Sequence, residues 1–155
     1  MAEPFEGAIY TEIITRLTDD DTLKGYVNRI FEGNRSEYLE KDHPFIVVEP
    51  IPSAEEEEFS SGQNRKMNRF KLQIRAGIDI RNNLDKQIIG DASQVGIYRF
   101  EADVKNAIEG SDLTFGSKGY RPIFRTVDYK NINDATREVV MELDITTFEF
   151  VTGAR

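Results

Sequence analysis

The chain has no cysteine, no tryptophan and a single histidine among its 155 residues. The missing cysteines exclude disulfides, thiolate metal sites and cysteine nucleophiles together. They are compatible with a reducing compartment without proving one. One histidine leaves little room for acid–base chemistry. His43 has Asp42, Ser60 and Ser61 nominally available for a triad, but it precedes Pro44 and no Gly-x-Ser-x-Gly elbow exists. It reads as a surface loop residue. Long apolar runs are absent too, and spanning a bilayer takes ~20 such residues. Met1-Ala2-Glu3-Pro4-Phe5-Glu6 lacks the basic and apolar regions of a secretory signal. The expectation is a protein made in water that stays there, with no membrane partner. Basic residues are also scarce: 20 Lys and Arg face 28 Asp and Glu, a formal net charge of −8. That balance argues against a nucleic-acid-binding face, which needs clustered cations. It suits either general solubility or a passage whose walls repel DNA.

What is present points to one domain over 1–155, long enough to bury a core without metal or disulfide support. The most informative stretch runs from Phe70 to Arg81, with an apolar side chain at every even position. A period of two puts apolar and charged rows on opposite faces of a strand. One wet face favours an antiparallel sheet. Twelve residues exceed the usual five or six of a strand, so this one is expected to reach beyond a compact body.

Ile9, Ile13 and Leu17, with Tyr10 and Ile14 beside them, mark an amphipathic helix from Phe5 to Thr18. Asp19-Asp20-Asp21 interrupts it and offers a cap for a second helix, Thr22 to Phe31, whose stripe is Leu23, Tyr26, Val27, Ile30 and Phe31. Phe45 to Glu49 reads as a short strand stopped by Pro50 and Pro52. Val95 to Ile108 fits a third helix closed by Gly110, and Ser111 to Pro122 reads as a loop. Alternation returns over Ile123–Tyr129 and Thr136–Val151, joined by a polar Asn131–Asp134 turn. The order α-α-β-β-α-β-β predicts an α+β fold: a four-stranded, mainly antiparallel sheet with helices packed on one face. Phe70, Leu72, Ile74, Ile78, Met141, Leu143 and Ile145 are the predicted sheet core, under Ile13, Leu17, Val104 and Ile108.

Motif-bearing chemistry is thin. Asp19-Asp20-Asp21 lacks the alternation, central glycine and late glutamate of a calcium loop, and helix capping accounts for it. Gly116-Ser117-Lys118-Gly119 lacks the order of a phosphate-binding loop. Lys71, Arg75 and Arg81 form a basic row that Asp79 interrupts, as on a solvated sheet face. No catalytic residue, cofactor or metal ligand is assigned.

The segment from 53 to 66 is different in kind. It carries Glu55, Glu56, Glu57 and Glu58 on one arm and Arg65 and Lys66 on the other, with Arg69 following. Loops longer than ~12 residues in compact domains are usually functional or disordered. Two readings stand: a solvated hairpin tip, or an arm that orders against a neighbouring subunit, with opposite charges setting register.

Taken together, the chain resembles the tail terminator (tail completion, head–tail joining) proteins of long-tailed bacteriophages. The likeness lies in the helix with Ile9, Ile13 and Leu17, then Pro44-Phe45-Ile46-Val47-Val48, the long loop and Phe70-Lys71-Leu72-Gln73-Ile74-Arg75. It continues through the helix around Tyr98 to Ile108 and the last strand, Val139-Val140-Met141-Glu142-Leu143-Asp144-Ile145-Thr146. It is one of order, length and pattern, without a diagnostic motif. The second helix and the acidic loop depart from the family, which leaves the contractile and non-contractile branches both open. The resemblance implies a virion protein, assembled in the host cytoplasm. Such a protein forms a ring, commonly a homo-hexamer, at the head-proximal end of the tail tube. It would contact the tail tube protein and the head connector or stopper, let DNA pass without specific binding, and have no catalytic residues. Another neck protein (a head-completion stopper or connector) is the nearest alternative, and a small α+β enzyme or ligand-binding domain with a concave pocket is a third.

Overall fold

In the computed structural model the described residues are 5–33, 40–51, 57–58, 65–81, 88–91, 94–109, 114–115, 118–132 and 135–150. Helix α1 (Phe5–Asp19) places Ile9, Ile13 and Leu17, four residues apart, on one fully buried stripe. Asp20 then caps a single-turn helix α2 (Asp21–Lys24), its carboxylate accepting from the Leu23 N–H at 3.0 Å.

The chain next enters strand β1 (Arg29–Glu32) rather than continuing as a helix. The expected helix from Thr22 to Phe31 therefore stops at Lys24, with Gly25 as its C-cap. The apolar spacing misled because four residues are too few to display a period of two. Ile30 packs into the main core, while its neighbour Phe31 joins Phe45 and Val47 on the other face of the sheet. Adjacent residues facing opposite ways is strand geometry, not a helical stripe.

Strand β2 (Phe45–Ile51) runs parallel to β1 and antiparallel to β4 (Arg65–Asp79), and continues through Pro50, which pairs with Leu72. The two-residue strand β3 (Glu57–Glu58) pairs with the start of β4. Helix α3 is Ile97–Glu109, burying Ile97, Phe100, Val104 and Ile108. The expected loop from Ser111 to Pro122 instead contains β5 (Thr114–Phe115) and the first residues of β6 (Lys118–Asn131). Strand β7 (Thr136–Phe150) closes the described chain, hairpin-paired to β6 as the Asn131–Asp134 turn predicts.

The five principal strands lie in the order β1-β2-β4-β7-β6, with β3 and β5 as short additions. The fold is α+β as expected, but the sheet is mixed and five-stranded because β1 adds a parallel edge. Strands β4 and β7 pair continuously from Asp79↔Thr136 to Arg65↔Phe150. Every predicted core residue, from Phe70 to Ile145 on the sheet and from Ile13 to Ile108 on the helices, belongs to one buried cluster.

The opposite face carries a smaller cluster of Phe31, Phe45 and Val47. Here the Phe45 ring lies across the backbone of Gly77, and a Cβ at Gly77 would fall 2.2 Å from Phe45 Cζ. Glycine is needed there for close approach, not for its backbone freedom.

Two substitutions test the two faces. Leu143→Ala, at a fully buried position, is expected to cost about 2–5 kcal/mol in urea unfolding. Gly77→Ala forces the Phe45 ring aside and is expected to cost about 1–3 kcal/mol by overpacking. Unchanged stability in either variant contradicts the assigned face.

Candidate functional site: the charged sheet face

The sequence-predicted site residues fall at one end of the long strands. Glu57 and Glu58 form β3, while Arg65, Lys66 and Arg69 lie in β4. Glu55 and Glu56 lie outside the described residues. The register sets Glu58 opposite Lys66, and Lys66 opposite Glu149 of β7, so one row alternates acid, base, acid across three strands. Arg65 is opposite Phe150 and Arg69 opposite Thr146. The Glu58–Lys66 juxtaposition is made within one chain.

Farther along the same sheet, the face away from the helices carries a pattern the sequence reading treated only as a solvated row. Strand β7 contributes carboxylates and both neighbours contribute cations. Glu142 lies between Lys71 of β4 (3.4 Å) and Arg125 of β6 (2.9 Å). Glu138 lies between Arg75 of β4 (3.5 Å) and Lys130 of β6 (3.7 Å). The expected interrupter, Asp79, binds Arg81 instead, through a 2.7 Å ion pair. Cross-strand opposite charges stabilise a sheet, and here each acid has a base on both sides.

The two acids respond oppositely to this setting. The hydrogen bond from Arg125 is the main influence holding the Glu142 carboxyl below its usual range, with Lys71 adding to it. Burial dominates at Glu138, which is completely covered, and pushes its carboxyl up despite the nearby Arg75 and Lys130. Its Oε2 has no hydrogen-bond partner among the described residues.

The single histidine is not a surface residue. His43 is buried, with Nε2 2.7 Å from Thr136 Oγ1 and its ring edge-on to Phe45. Asp42 beside it is buried as well, and Ser60 and Ser61 lie outside the described residues. His43 borders a cleft of about 390 Å³ together with Tyr26, Ile78, Asp79 and Gln94. The Tyr26 hydroxyl donates to Asp103 at 2.8 Å, and burial above all raises its pKa. Tyr129 donates to Glu101 at 2.6 Å, and that bond is the main reason its pKa is pushed up to about 12. Both tyrosines tie α3 to its surroundings as neutral donors at physiological pH. Among the described residues no group of three acidic or histidine side chains is placed to hold a metal ion. None of their helices is long and apolar enough to cross a membrane. No protein-family model matches the chain, and no curated protein sequence matches it.

The opposed shifts give a pH test. With its folded pKa lowered, Glu142 adds stability above about pH 4.3, the ordinary glutamate value, and loses it as pH falls through the folded value. With its folded pKa raised, Glu138 contributes most below that same value, and its contribution falls as pH rises through the folded value. Urea unfolding between about pH 3 and 8 should therefore show a weaker acid-side loss in Glu142→Gln. Glu138→Gln should remove part of the decline on the higher-pH side. Identical profiles for both variants and the parent would refute the two assignments.

Proposed function

We propose that this protein is a ring-forming structural subunit that ends a phage tail tube and joins it to the head connector. The observation that supports this most is the reach of the central strands. Strands β4, β6 and β7 are 15, 14 and 15 residues long, against the about five or six usual in a sheet. β4 and β7 pair over their whole length, from Asp79↔Thr136 to Arg65↔Phe150. At ~3.3 Å per residue each is roughly 50 Å long. Strands of this length suit a subunit that must meet copies of itself better than a lone small domain.

The resemblance in element order and pattern gives this assembly its identity, and the acidic composition fits a passage that DNA crosses without adhering. In this reading the subunits meet through the arm at 53–66 and the long strand β4 that follows it. The protein has no turnover of its own.

A second reading, a ligand-binding domain, draws on the His43 cleft. Its ~390 Å³ lies within the size range of small-molecule sites, but His43 there is already bonded to Thr136.

Light scattering of the purified protein, followed by addition to polymerising tail tube protein, tests the proposal. The expected result is a closed oligomer, six subunits by the resemblance, that halts tube growth. A stopper would instead bind the portal–adaptor assembly and leave tube length unchanged. A protein that stays monomeric and leaves tube growth untouched would rule the reading out. Hydrolase activity that disappears in His43→Ala would favour the cleft.

A further inference from the structure

The sheet face away from the helices ends in two margins of different chemistry. Strand β1 is outermost on one side, and β6 is the last long strand on the other. Along the β6 margin Ile123 and Val127 are 61% and 51% exposed. The register shift between Thr126 and Asp128 leaves Val127 as the extra residue of a bulge. Asp128 follows it, opposite Val140, exposed and with no ion pair or hydrogen bond among the described residues. At the β1 margin Arg29 is exposed, with its guanidinium 5.2 Å from the centre of the Phe31 ring. That stacking sets Arg29 on the same face as Phe31, Phe45 and Val47. It has no carboxylate partner among the described residues. Lys71, Arg75, Arg125 and Lys130 of this face are all held by acids of β7. Arg29 and Asp128 are thus unmatched opposite charges, one at each margin.

Strand directions decide how the margins can meet. Strand β1 runs with β2 and β7, and against β4 and β6. Turning a copy about an axis along the strands preserves both direction and face. It brings β1 of one copy antiparallel to β6 of the next, with the charged faces on one side. Levels are preserved too. Through the paired residues, Arg29 is level with Lys130, and Phe31 with Asp128. Arg29 therefore arrives two residues, or ~7 Å, along the seam from its neighbour's Asp128, within an arginine's reach. On the helix face exposed Glu32 is level with Thr126, whose Oγ1 is 3.0 Å from Lys105 Nζ. Opposite charges meet on both faces of the seam. The bulge interrupts regular pairing on β6, so side chains rather than a long ladder carry the contact. Different edges on opposite sides of one subunit join head to tail, the arrangement that closes into rings when the rotation allows.

We infer that the β1 margin of one copy docks beside the β6 margin of the next, with Arg29 on Asp128 and Glu32 beside Lys105. This rests on the ring reading and goes beyond it, since it names a contact besides the arm at 53–66.

Charge swaps test it in the full-length protein by light scattering. Arg29→Glu is expected to weaken self-association roughly tenfold or more, because like charges then face one another. Asp128→Arg should do the same. Asp128 has no partner within its own chain to lose, so this variant keeps the test sound where Arg29→Glu unsettles Phe31. The two changes combined should restore assembly. The absence of native cysteine allows a direct readout. Within one chain Glu32 and Thr126 are four strand spacings apart, about 19 Å and too far for a disulfide. Glu32→Cys with Thr126→Cys should therefore give multimers linked between copies under mild oxidation, and Asp128→Arg should suppress them.

If Arg29→Glu and Asp128→Arg both leave assembly intact while deletion of 55–64 abolishes it, this contact is wrong and the ring reading survives. Failure of the combined swap to restore assembly also overturns the pairing. If the parent protein is monomeric throughout, both inferences fall.

Discussion

Because β4 and β7 pair without a bulge from end to end, every side-chain direction in the middle of the sheet is locked at once. Shifting the register by one residue would turn Phe70, Leu72 and Ile74 toward solvent and Lys71, Gln73 and Arg75 into the helices. The burial of some twenty apolar residues beneath α1 and α3 therefore holds the charged face in order as well. Ion pairs such as Lys71–Glu142–Arg125 are too exposed to hold the sheet together alone. They occur in register because the apolar rows on the reverse side have already set it.

This dependence explains which parts of the structure were legible in sequence. Long alternating runs gave β4 and β7 with their core residues, and the middle of β6 from Ile123 to Tyr129, since a period of two repeated over many residues is hard to mistake. The helices α1 and α3 were equally plain from their four-residue spacing. What escaped notice was short or set by tertiary contact. Strand β1 is four residues long, and its Ile30 and Phe31 satisfy a helical stripe on paper. They separate only because two different cores take them. The burial of His43 was invisible for a similar reason. Its partner Thr136 is 93 residues away, and nothing in the local sequence announces it.

The candidate site divides in the same way. The charged arm was visible as composition, but not that β3 sets Glu58 opposite Lys66 within the chain. The striping of the sheet face was half visible. Lys71 and Arg75 could be seen on one strand, while their partners Glu142 and Glu138 lie 71 and 63 residues later in the chain. A row of bases reads as a patch until the strand beside it is known, and here that strand neutralises it.

That neutralisation bears on how an acidic protein can associate with itself. At a net charge of −8, two copies repel at long range, and salt reduces that repulsion with a screening length of about 8 Å near physiological ionic strength. Attraction then has to be local, arising where an unpaired cation of one copy meets an acid of another. The middle of the sheet face offers little for this, because its bases already bind β7. Lys24 and Lys41 are exposed with no carboxylate partner among the described residues, and residues 55–58 are all glutamate. An association built on these groups would be sensitive to salt in both directions. Moderate salt relieves the overall repulsion, and higher salt weakens the contact itself. A salt optimum, rather than a steady decline, is the signature that separates such a contact from a purely apolar one.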